Sequence, residues 1–312
     1  MTLAPVERSG SMPTIAHLHG VVPATVTPFD SHYHIDYPAL RAAIDAYLAA
    51  GVHGISVCGS QGEFFALSQQ ERIELVAQVV KYVDHRVPVY AGTGAVTTHE
   101  TIALTQAAEA AGADVAMVIT PYFIAPNRDE LAAHFRAVAV ATRLPVLLYN
   151  NPPRTGGLNL DAPFLAGLGD VPNIIGIKDS SGDLTQLAEY LLLTEQRARV
   201  FIGRDTLTFS GVLHGASGVI SPAANVFPRT VVRLYAALRA ERLAEARRLS
   251  ELLAPLRAAW AWGSFPVVIK EAMELAGRPA GPARPPIQGL STEVRARLRQ
   301  IVERIGAEEA RS

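Results

Sequence analysis

The side chain with the clearest potential for chemistry is Lys178, which ends the apolar run of residues 174–177 in the segment IIGIKDS. Lysine is among the residues least often buried, so an apolar strand that ends on one is unusual. Desolvation disfavours the ammonium form, lowers the pKa of the side chain and makes a neutral amine available. A neutral amine attacks a ketone to form an imine, through which carbon–carbon bonds are made or broken without a metal. The structural alternative is a lysine that extends to the rim of the sheet or pairs with Asp179.

Lys178 has few competitors for this role. The chain contains only two other lysines, Lys81 and Lys270, and arginine supplies the rest of its positive charge. Arginine cannot form an imine with a ketone, because its guanidinium stays protonated. Lys81 and Lys270 lie in helical patterns, so the sequence predicts a solvated helix face or a structural ion pair for each.

Imine formation also needs proton transfer, because water must leave from a carbinolamine. Tyr149 ends the strand that precedes the strand of Lys178, so the two side chains can meet in a parallel sheet. Ser60 lies in the glycine-rich segment GSQGE of residues 59–63 and could pass a proton to Tyr149. The backbone N–H groups of such a segment suit a carboxylate. Taken singly, a strand-end tyrosine is more often a core residue, and a serine between glycines is more often a turn residue.

Short apolar runs alternate with longer amphipathic stretches along the chain, as is typical of a parallel sheet covered by helices. These runs predict eight strands: GVVPATVTPF, GISVCG, VPVYAG, DVAMVIT, LPVLLYN, NIIGIKD, RVFIG and GVIS. Eight strand–helix units are the number that closes a (β/α)8 barrel. The rival fold is an open doubly wound sheet, but no G-x-G-x-x-G motif follows the first strand.

The predicted fold class is therefore α/β, a (β/α)8 TIM barrel with extra C-terminal helices. Residues 1–16 are predicted to be a loose extension and residues 17–225 the barrel. Residues 226–312 are predicted to hold the last barrel helix and a helical appendage, interrupted by the Pro/Gly-rich segment at 277–289.

Composition argues against several classes of function. The 28 basic and 29 acidic residues are interspersed and leave a net charge of −1, which favours neither nucleic acid nor an anionic membrane. No apolar run reaches the length of a membrane span, and the first residues do not resemble a signal peptide. The single cysteine, Cys58, fits a reducing, cytoplasmic setting and is predicted to be a buried, inert thiol. The histidine pairs His17/His19 and His32/His34 lack an evident third ligand, so no metal site is predicted.

Active sites of such barrels lie at the carboxyl ends of the strands, which adds further candidates to the site. They follow strands four, five, seven and eight, and they are Phe123, Arg154, Gly203, Arg204, Asp205 and Ile220. Asp205 is predicted either to pair locally with Arg204 or to contact the substrate.

Three motifs resemble the signatures of one known family. GSQGE, LLYNNPPRTG and GIKDSSGD look like those of the dihydrodipicolinate synthase / N-acetylneuraminate lyase family, and VTPF and VITPYF are also similar to it. The resemblance extends from about Gly20 to the C-terminal helices. It implies a (β/α)8 barrel, usually a homotetramer built as a dimer of dimers. It also implies cofactor-free, class I (Schiff-base) chemistry on pyruvate or a related 2-oxo acid.

The resemblance also implies roles for individual residues. Lys178 matches the lysine that forms the imine, and Tyr149 matches the tyrosine that relays protons and touches the substrate. Ser60 matches the hydroxyl residue that holds the carboxylate of the 2-oxo acid together with a neighbouring backbone amide. Gly203 and Ile220 fall where members of the family line the pyruvate pocket.

Other positions bear on the branch of the family. Arg154 matches the arginine with which dihydrodipicolinate synthases bind a second carboxylate, and sialic acid lyases typically lack it. Gln61 stands where the synthases typically have threonine, and it resembles the Gly-Ser-Asn loop of 4-hydroxy-2-oxoglutarate aldolases. Phe123 stands where the synthases typically carry a tyrosine that is donated across a subunit interface to a hydroxyl relay.

These departures favour an aldolase, dehydratase or deaminase of a small hydroxylated 2-oxo acid with a second carboxylate, similar to 4-hydroxy-2-oxoglutarate aldolase. The alternative is 4-hydroxy-tetrahydrodipicolinate synthase, which condenses pyruvate with aspartate semialdehyde. Two hypotheses from other classes are a metal-dependent barrel aldolase and a barrel that binds a 2-oxo acid without turnover.

Overall fold

The computed structural model describes residues 15–195 and 197–311 of the chain. The first fourteen residues of the predicted N-terminal extension lie outside the described residues.

Eight parallel strands form the barrel that the sequence predicts. The strands are β1 (Gly20–Pro23), β2 (Ile55–Val57), β3 (Val89–Gly92), β4 (Val115–Ile119), β5 (Val146–Asn150), β6 (Ile174–Asp179), β7 (Arg199–Ile202) and β8 (Gly218–Ser221). Each pairs in parallel with its neighbours in the order β1-β8-β7-β6-β5-β4-β3-β2. A parallel bridge between Ala24 and Ser56 joins the end of β1 to β2 and completes the circle. The predicted (β/α)8 TIM barrel is therefore confirmed.

Helices connect the strands and then continue beyond the barrel. They are α1 (Tyr37–Ala49), α2 (Gln69–Val83), α3 (Thr98–Ala111), α4 (Arg128–Val140), α5 (Ala162–Ala166), α6 (Leu184–Leu193), α7 (Thr208–Leu213), α8 (Pro228–Arg239), α9 (Leu243–Ala258), α10 (Val267–Leu275) and α11 (Thr292–Glu309). The predicted Pro/Gly-rich break separates α10 from α11. None of the described helices is both long enough and apolar enough to cross a membrane.

Local sequence signals set several helix starts. Ser68 accepts the N–H of Glu71 while the Glu71 carboxylate accepts the N–H of Ser68, which forms a capping box at the start of α2. Thr97 likewise accepts the N–H of Glu100 at the start of α3. Such caps satisfy backbone donors that have no partner within the helix, so they define where each helix begins.

A buried ion pair attaches the C-terminal helices to the barrel. Lys270 on α10 is 2% exposed, and its Nζ lies 2.6 Å from Oε1 of the buried Glu63. Lys270 also donates to the carbonyl of Pro282 at 2.8 Å, and Glu63 accepts the backbone N–H of Arg284 at 3.1 Å. Glu63 directly follows the 3-10 turn Ser60–Gly62 and adopts a left-handed conformation. The ion pair therefore holds the glycine-rich loop and the appendage in one arrangement.

The substitution Lys270→Met should destabilise the fold strongly, because it leaves the Glu63 carboxylate buried without its charged partner. The expected loss is about 3–5 kcal/mol in the free energy of unfolding. Lys81→Met on the exposed face of α2 is the matched control, and its effect should stay within about 0.5 kcal/mol. Urea unfolding of the two variants and the wild type measures the difference. Equal stabilities for the two variants would contradict the structural role of the pair.

Candidate active site

Lys178 lies inside the barrel at the carboxyl end of β6, directly beside Tyr149 on β5. The two residues are partners in the parallel register of β5 and β6. They are 4% and 5% exposed, and the Nζ of Lys178 lies 4.0 Å from the centroid of the Tyr149 ring. Strand pairing thus places an amine and a phenol together in a site that excludes most solvent.

The Tyr149 hydroxyl is the centre of a small polar network. Its oxygen accepts a hydrogen bond from Nδ2 of Asn151 at 2.8 Å. The Ser60 hydroxyl donates to it over a longer distance of 3.4 Å, and Ser180 contributes a further hydrogen bond. These contacts stabilise the oxygen when it carries negative charge, which suits a group that gives and takes protons.

Burial and mutual proximity set the pKa values of the pair. Burial lowers the pKa of Lys178, although the neighbouring Tyr149 and Asp205 oppose this effect. Burial raises the pKa of Tyr149, but the charge of Lys178 and the hydrogen bonds outweigh it, so the net shift is downward. A lowered lysine pKa means that the nucleophilic amine form is available closer to neutral pH.

The glycine-rich loop after β2 forms the wall of the site opposite the strand ends that carry the pair. Ser60 and Gln61 are buried in the 3-10 turn Ser60–Gly62. A side chain at Gly62 would come within 2.9 Å of the Thr25 carbonyl, so glycine allows the turn to pack against the end of β1. The Thr27 hydroxyl donates to the Gly62 carbonyl at 2.6 Å and holds the turn there.

A cavity of about 130 Å³ lies above Lys178. Most of the predicted site residues line it together: Ser60, Gln61, Tyr149, Arg154, Lys178, Gly203 and Ile220. Gly203 has a clear steric role, because a Cβ there would approach the Ser180 hydroxyl to 2.0 Å. The structure therefore brings together side chains that are separated by up to 160 positions in the chain.

Phe123 and Asp205 are the two predicted site residues that do not line this cavity. The side chain of Phe123 is 98% exposed, and its backbone adopts a positive φ of 72° after β4, so it points away from the cavity of its own chain. Asp205 accepts hydrogen bonds from the Ser221 hydroxyl and the Ala223 N–H. Its carboxylate therefore supports the turn after β8, and burial raises its pKa.

Several lining residues escaped prediction as members of the site. They are Asn151, Arg257, Trp260 and Phe265, together with Ala24, Pro153 and Pro222. Asn151 adjoins the end of β5, so the strand-end rule could have found it. Arg257, Trp260 and Phe265 belong to the appendage, where no local pattern links a residue to the barrel.

The remaining predictions concern thiol and metal chemistry. Cys58 is buried, and burial raises its pKa to about 12, so the thiol is inert as predicted. Among residues 15–195 and 197–311, no group of three or more His, Cys, Asp or Glu side chains is placed to hold a metal ion.

Comparison with known proteins gives consistent matches over nearly the whole chain. The model of the dihydrodipicolinate synthetase family matches residues 17–305. The 4-hydroxy-tetrahydrodipicolinate synthase of Methanoculleus marisnigri is 42% identical over 286 residues, covering 91% of this chain and 98% of that protein. The structure of the same-named enzyme from Methylacidiphilum fumariolicum SolV matches with a TM-score of 0.90 at 32% identity, covering 94% of this chain and 97% of that chain. A prophage protein of the dihydrodipicolinic acid synthase family from E. coli K12, in complex with pyruvate, matches with a TM-score of 0.88 at 34% identity, covering 92% and 98%.

The barrel and the match to this family identify a class I lyase, an enzyme class that works through a lysine imine. The chain belongs to the dihydrodipicolinate synthase family, whose model matches it from residue 17 to residue 305. The family that the three motifs indicated is thereby confirmed.

The substitution Tyr149→Phe should change both the rate and the pH dependence of imine formation. Tyr149 raises the pKa of Lys178, so its removal lowers that pKa further and moves the rise in rate to lower pH. The plateau rate should nevertheless fall by about 10²–10⁴-fold, because dehydration of the carbinolamine loses its proton donor. The measurement is the initial rate of borohydride trapping with pyruvate as a function of pH. Tyr33→Phe, at an exposed tyrosine, is the control. If the trapping rate of Tyr149→Phe depends on pH in the same way as that of Tyr33→Phe, with the same plateau, Tyr149 does not relay protons.

Proposed function

We propose that this chain is a 4-hydroxy-tetrahydrodipicolinate synthase, which condenses pyruvate with aspartate semialdehyde through an imine on Lys178. The observation that carries the proposal is the buried Lys178–Tyr149 pair at the base of the cavity. The relatives named above support the choice of reaction, since two of them carry this name.

The proposed reaction begins when the neutral amine of Lys178 attacks the ketone carbon of pyruvate. Tyr149 donates a proton to the carbinolamine hydroxyl as it leaves as water, and the protonated imine remains. The Tyr149 phenolate left by that step takes a proton from the methyl carbon and gives an enamine, whose carbon attacks the aldehyde of the second substrate, and the new alkoxide takes the proton back from Tyr149. The amino group of the second substrate then attacks the imine carbon, the bond from that carbon to the Lys178 nitrogen breaks, and the ring closes as the neutral lysine amine leaves and Tyr149 recovers its proton.

The loop and the strand ends position the substrate in this scheme. Ser60 and the backbone of its turn would hold the carboxylate of pyruvate, while Gly203 and Ile220 shape the space around its methyl group. The guanidinium of Arg154 stacks on the ring of Phe265 at 4.5 Å and faces the cavity, where it can bind a carboxylate on the second substrate.

A second candidate function is cleavage of 4-hydroxy-2-oxoglutarate, the activity that the sequence favoured. Two observations support it: Gln61 replaces a hydroxyl residue in the loop, and Phe123 cannot relay a proton. Cleavage and condensation share the same enamine, so the lysine chemistry is common to both. The names of the relatives favour the synthase, and the sequence-based preference for the aldolase is therefore given second place.

The hypotheses from other classes receive less support. Membership of a family of pyruvate-dependent class I lyases favours an imine over a metal-dependent mechanism and over binding without turnover.

A homotetramer, the usual state of the family, is part of the proposal, and the fully exposed apolar ring of Phe123 is suited to a subunit contact. A cytoplasmic location stays a prediction from composition.

Borohydride trapping tests the proposed chemistry directly. Incubation with pyruvate and borohydride should attach one reduced adduct, which peptide mass spectrometry should place on Lys178. Lys178→Ala should abolish the adduct, whereas Lys81→Ala should retain it. An adduct on another residue would refute the mechanism. Parallel assays of condensation with aspartate semialdehyde and of 4-hydroxy-2-oxoglutarate cleavage then decide between the two candidate functions.

The substitution Arg154→Ala should raise KM for aspartate semialdehyde by about 10–100-fold, because the charged hydrogen bond to its carboxylate is lost. The KM for pyruvate should change much less. Steady-state kinetics with both substrates measures the difference, and Arg299→Ala on the exposed face of α11 is the control. Equal increases in KM for pyruvate and aspartate semialdehyde would refute this role.

A further inference from the structure

Asn151 directly follows β5 and makes a hydrogen bond to the hydroxyl of Tyr149, which lies two positions earlier in the chain. Its Nδ2 lies 2.8 Å from the phenol oxygen, whereas the Ser60 hydroxyl lies 3.4 Å from it. Alternate residues of an extended segment point to the same side, and both Tyr149 and Asn151 line the cavity above Lys178. Asn151 therefore contacts the phenol oxygen from within the cavity where the proposed reaction takes place.

The neighbouring asparagine, Asn150, serves the opposite side of the strand. Its Nδ2 donates to Oδ1 of Asp179 at 2.8 Å, and its Oδ1 accepts the backbone N–H of Leu160 at 2.9 Å. Asn150 is fully buried and does not line the cavity. The two adjacent asparagines thus have separate contacts, because Asn150 holds the loop after β5 and the side chain of Asn151 reaches Tyr149.

The amide of Asn151 differs chemically from the other hydrogen-bonding neighbours of the phenol. The hydroxyls of Ser60 and Ser180 can each donate or accept a hydrogen bond, whereas the amide nitrogen of Asn151 can only donate. The amide therefore occupies a lone pair of the phenol oxygen, and the proton of Tyr149 must point in another direction. An N–H donor at this distance also stabilises negative charge on the oxygen.

The backbone of Asn151 is held independently of its side chain. Its carbonyl accepts the N–H of Arg154 at 2.9 Å and the hydroxyl of Thr155 at 3.1 Å. The next residue is Pro152, and a proline restricts the backbone of the residue before it. A substitution at Asn151 therefore removes the amide, while the turn that carries Arg154 keeps its own hydrogen bonds.

We propose that Asn151 is a positioning residue for proton transfer, whose amide N–H directs the hydroxyl proton of Tyr149 into the cavity and stabilises the phenolate. The O–H bond of Tyr149 breaks as its proton joins the carbinolamine hydroxyl, which leaves as water, and the amide donor then faces the negative oxygen. The inference rests on the proposed imine chemistry and adds to it a residue that acts through Tyr149 and takes no proton itself. Asn151 and Tyr149 belong to the same chain, so this support for the phenol needs no residue from a second subunit.

A double-mutant cycle with Tyr149→Phe tests the inference. The measured quantity is the plateau rate of borohydride trapping on Lys178 at saturating pyruvate. Asn151→Leu should lower this rate by about 10–100-fold in the wild-type background, because a hydrogen bond to a developing charge is lost. The same substitution in Tyr149→Phe should change the rate by less than about twofold, since the phenol oxygen is already absent. An equal loss in both backgrounds would overturn the proposal, because Asn151 would then act without Tyr149.

The substitution Asn151→Asp distinguishes a donor from an acceptor. Aspartate has nearly the same size as asparagine, but its carboxylate offers no N–H and repels a phenolate. The trapping rate should therefore fall at least as far as in Asn151→Leu. A wild-type rate for Asn151→Asp would mean that the side chain accepts the phenol proton, which would overturn the proposal.

Ultraviolet titration of Tyr149 gives a readout that does not depend on turnover. The difference spectrum between a protein and its Tyr149→Phe counterpart isolates the phenolate of this one tyrosine, and Lys178, the charged group that faces the ring, is present in every sample. Loss of the N–H donor should move the titration to higher pH in Asn151→Leu. Gln78→Leu, at an exposed amide on α2, is the matched control and should leave the titration unchanged. A titration that stays in place in Asn151→Leu would contradict the role of the amide.

The proposed function and the role of Asn151 fail on different results. If the wild type forms no adduct with pyruvate, the proposed function fails, and the titration of Tyr149 still tests the contact with Asn151. If the wild type forms the adduct and Asn151→Leu keeps the wild-type trapping rate, the role of Asn151 is overturned while the imine chemistry stands. Circular dichroism checks that each variant is folded.

Discussion

The exclusion of water around Lys178 is the constraint on which the rest of the site depends. A lysine amine in bulk solvent is protonated at neutral pH, and the resulting ammonium group does not attack a ketone. Placement at the end of a buried barrel strand lowers its pKa, and Tyr149 on the adjacent strand provides a polar neighbour that makes the burial tolerable. The barrel supplies both conditions, since parallel register fixes which side chains lie next to each other and helices cover the sheet.

The appendage belongs to the site as well as to the fold. The buried ion pair between Glu63 and Lys270 and the hydrogen bond from Gln61 to the Pro266 carbonyl join the glycine-rich loop to α10. In the same appendage, the rings of Phe265 and Trp260 stack against the guanidinium groups of Arg154 and Arg257, respectively. The cavity above Lys178 thus holds residues suited to the reaction common to the family, and the appendage closes the side on which a second substrate would lie.

Residues for imine chemistry are common to several reactions, whereas other residues select the reaction partner. The class of reaction is therefore clearer than the substrate. The roles proposed for Lys178, Tyr149 and Ser60 are common to condensation and cleavage, since both reactions pass through an imine of a 2-oxo acid. Choice of partner depends on weaker contacts at the rim of the cavity, each worth a few kcal/mol at most. The same barrel therefore accommodates a synthase or an aldolase with few changes at its rim.

The sequence by itself determined the eight strand–helix units, the barrel and the strand-end residues, because apolar periodicity and short motifs are local properties of the chain. It also identified Lys178 and Tyr149, since strand order implies their proximity. It could not place Arg257, Trp260 or Phe265 in the site, and it placed Phe123 at a cavity that this side chain does not reach within its own chain. Those positions depend on how the appendage folds back across the barrel and on the backbone direction after β4, which only long-range packing decides. The sequence predicted either a solvated helix face or a structural ion pair for Lys270. The same long-range packing decides between them, because it buries Lys270 against Glu63.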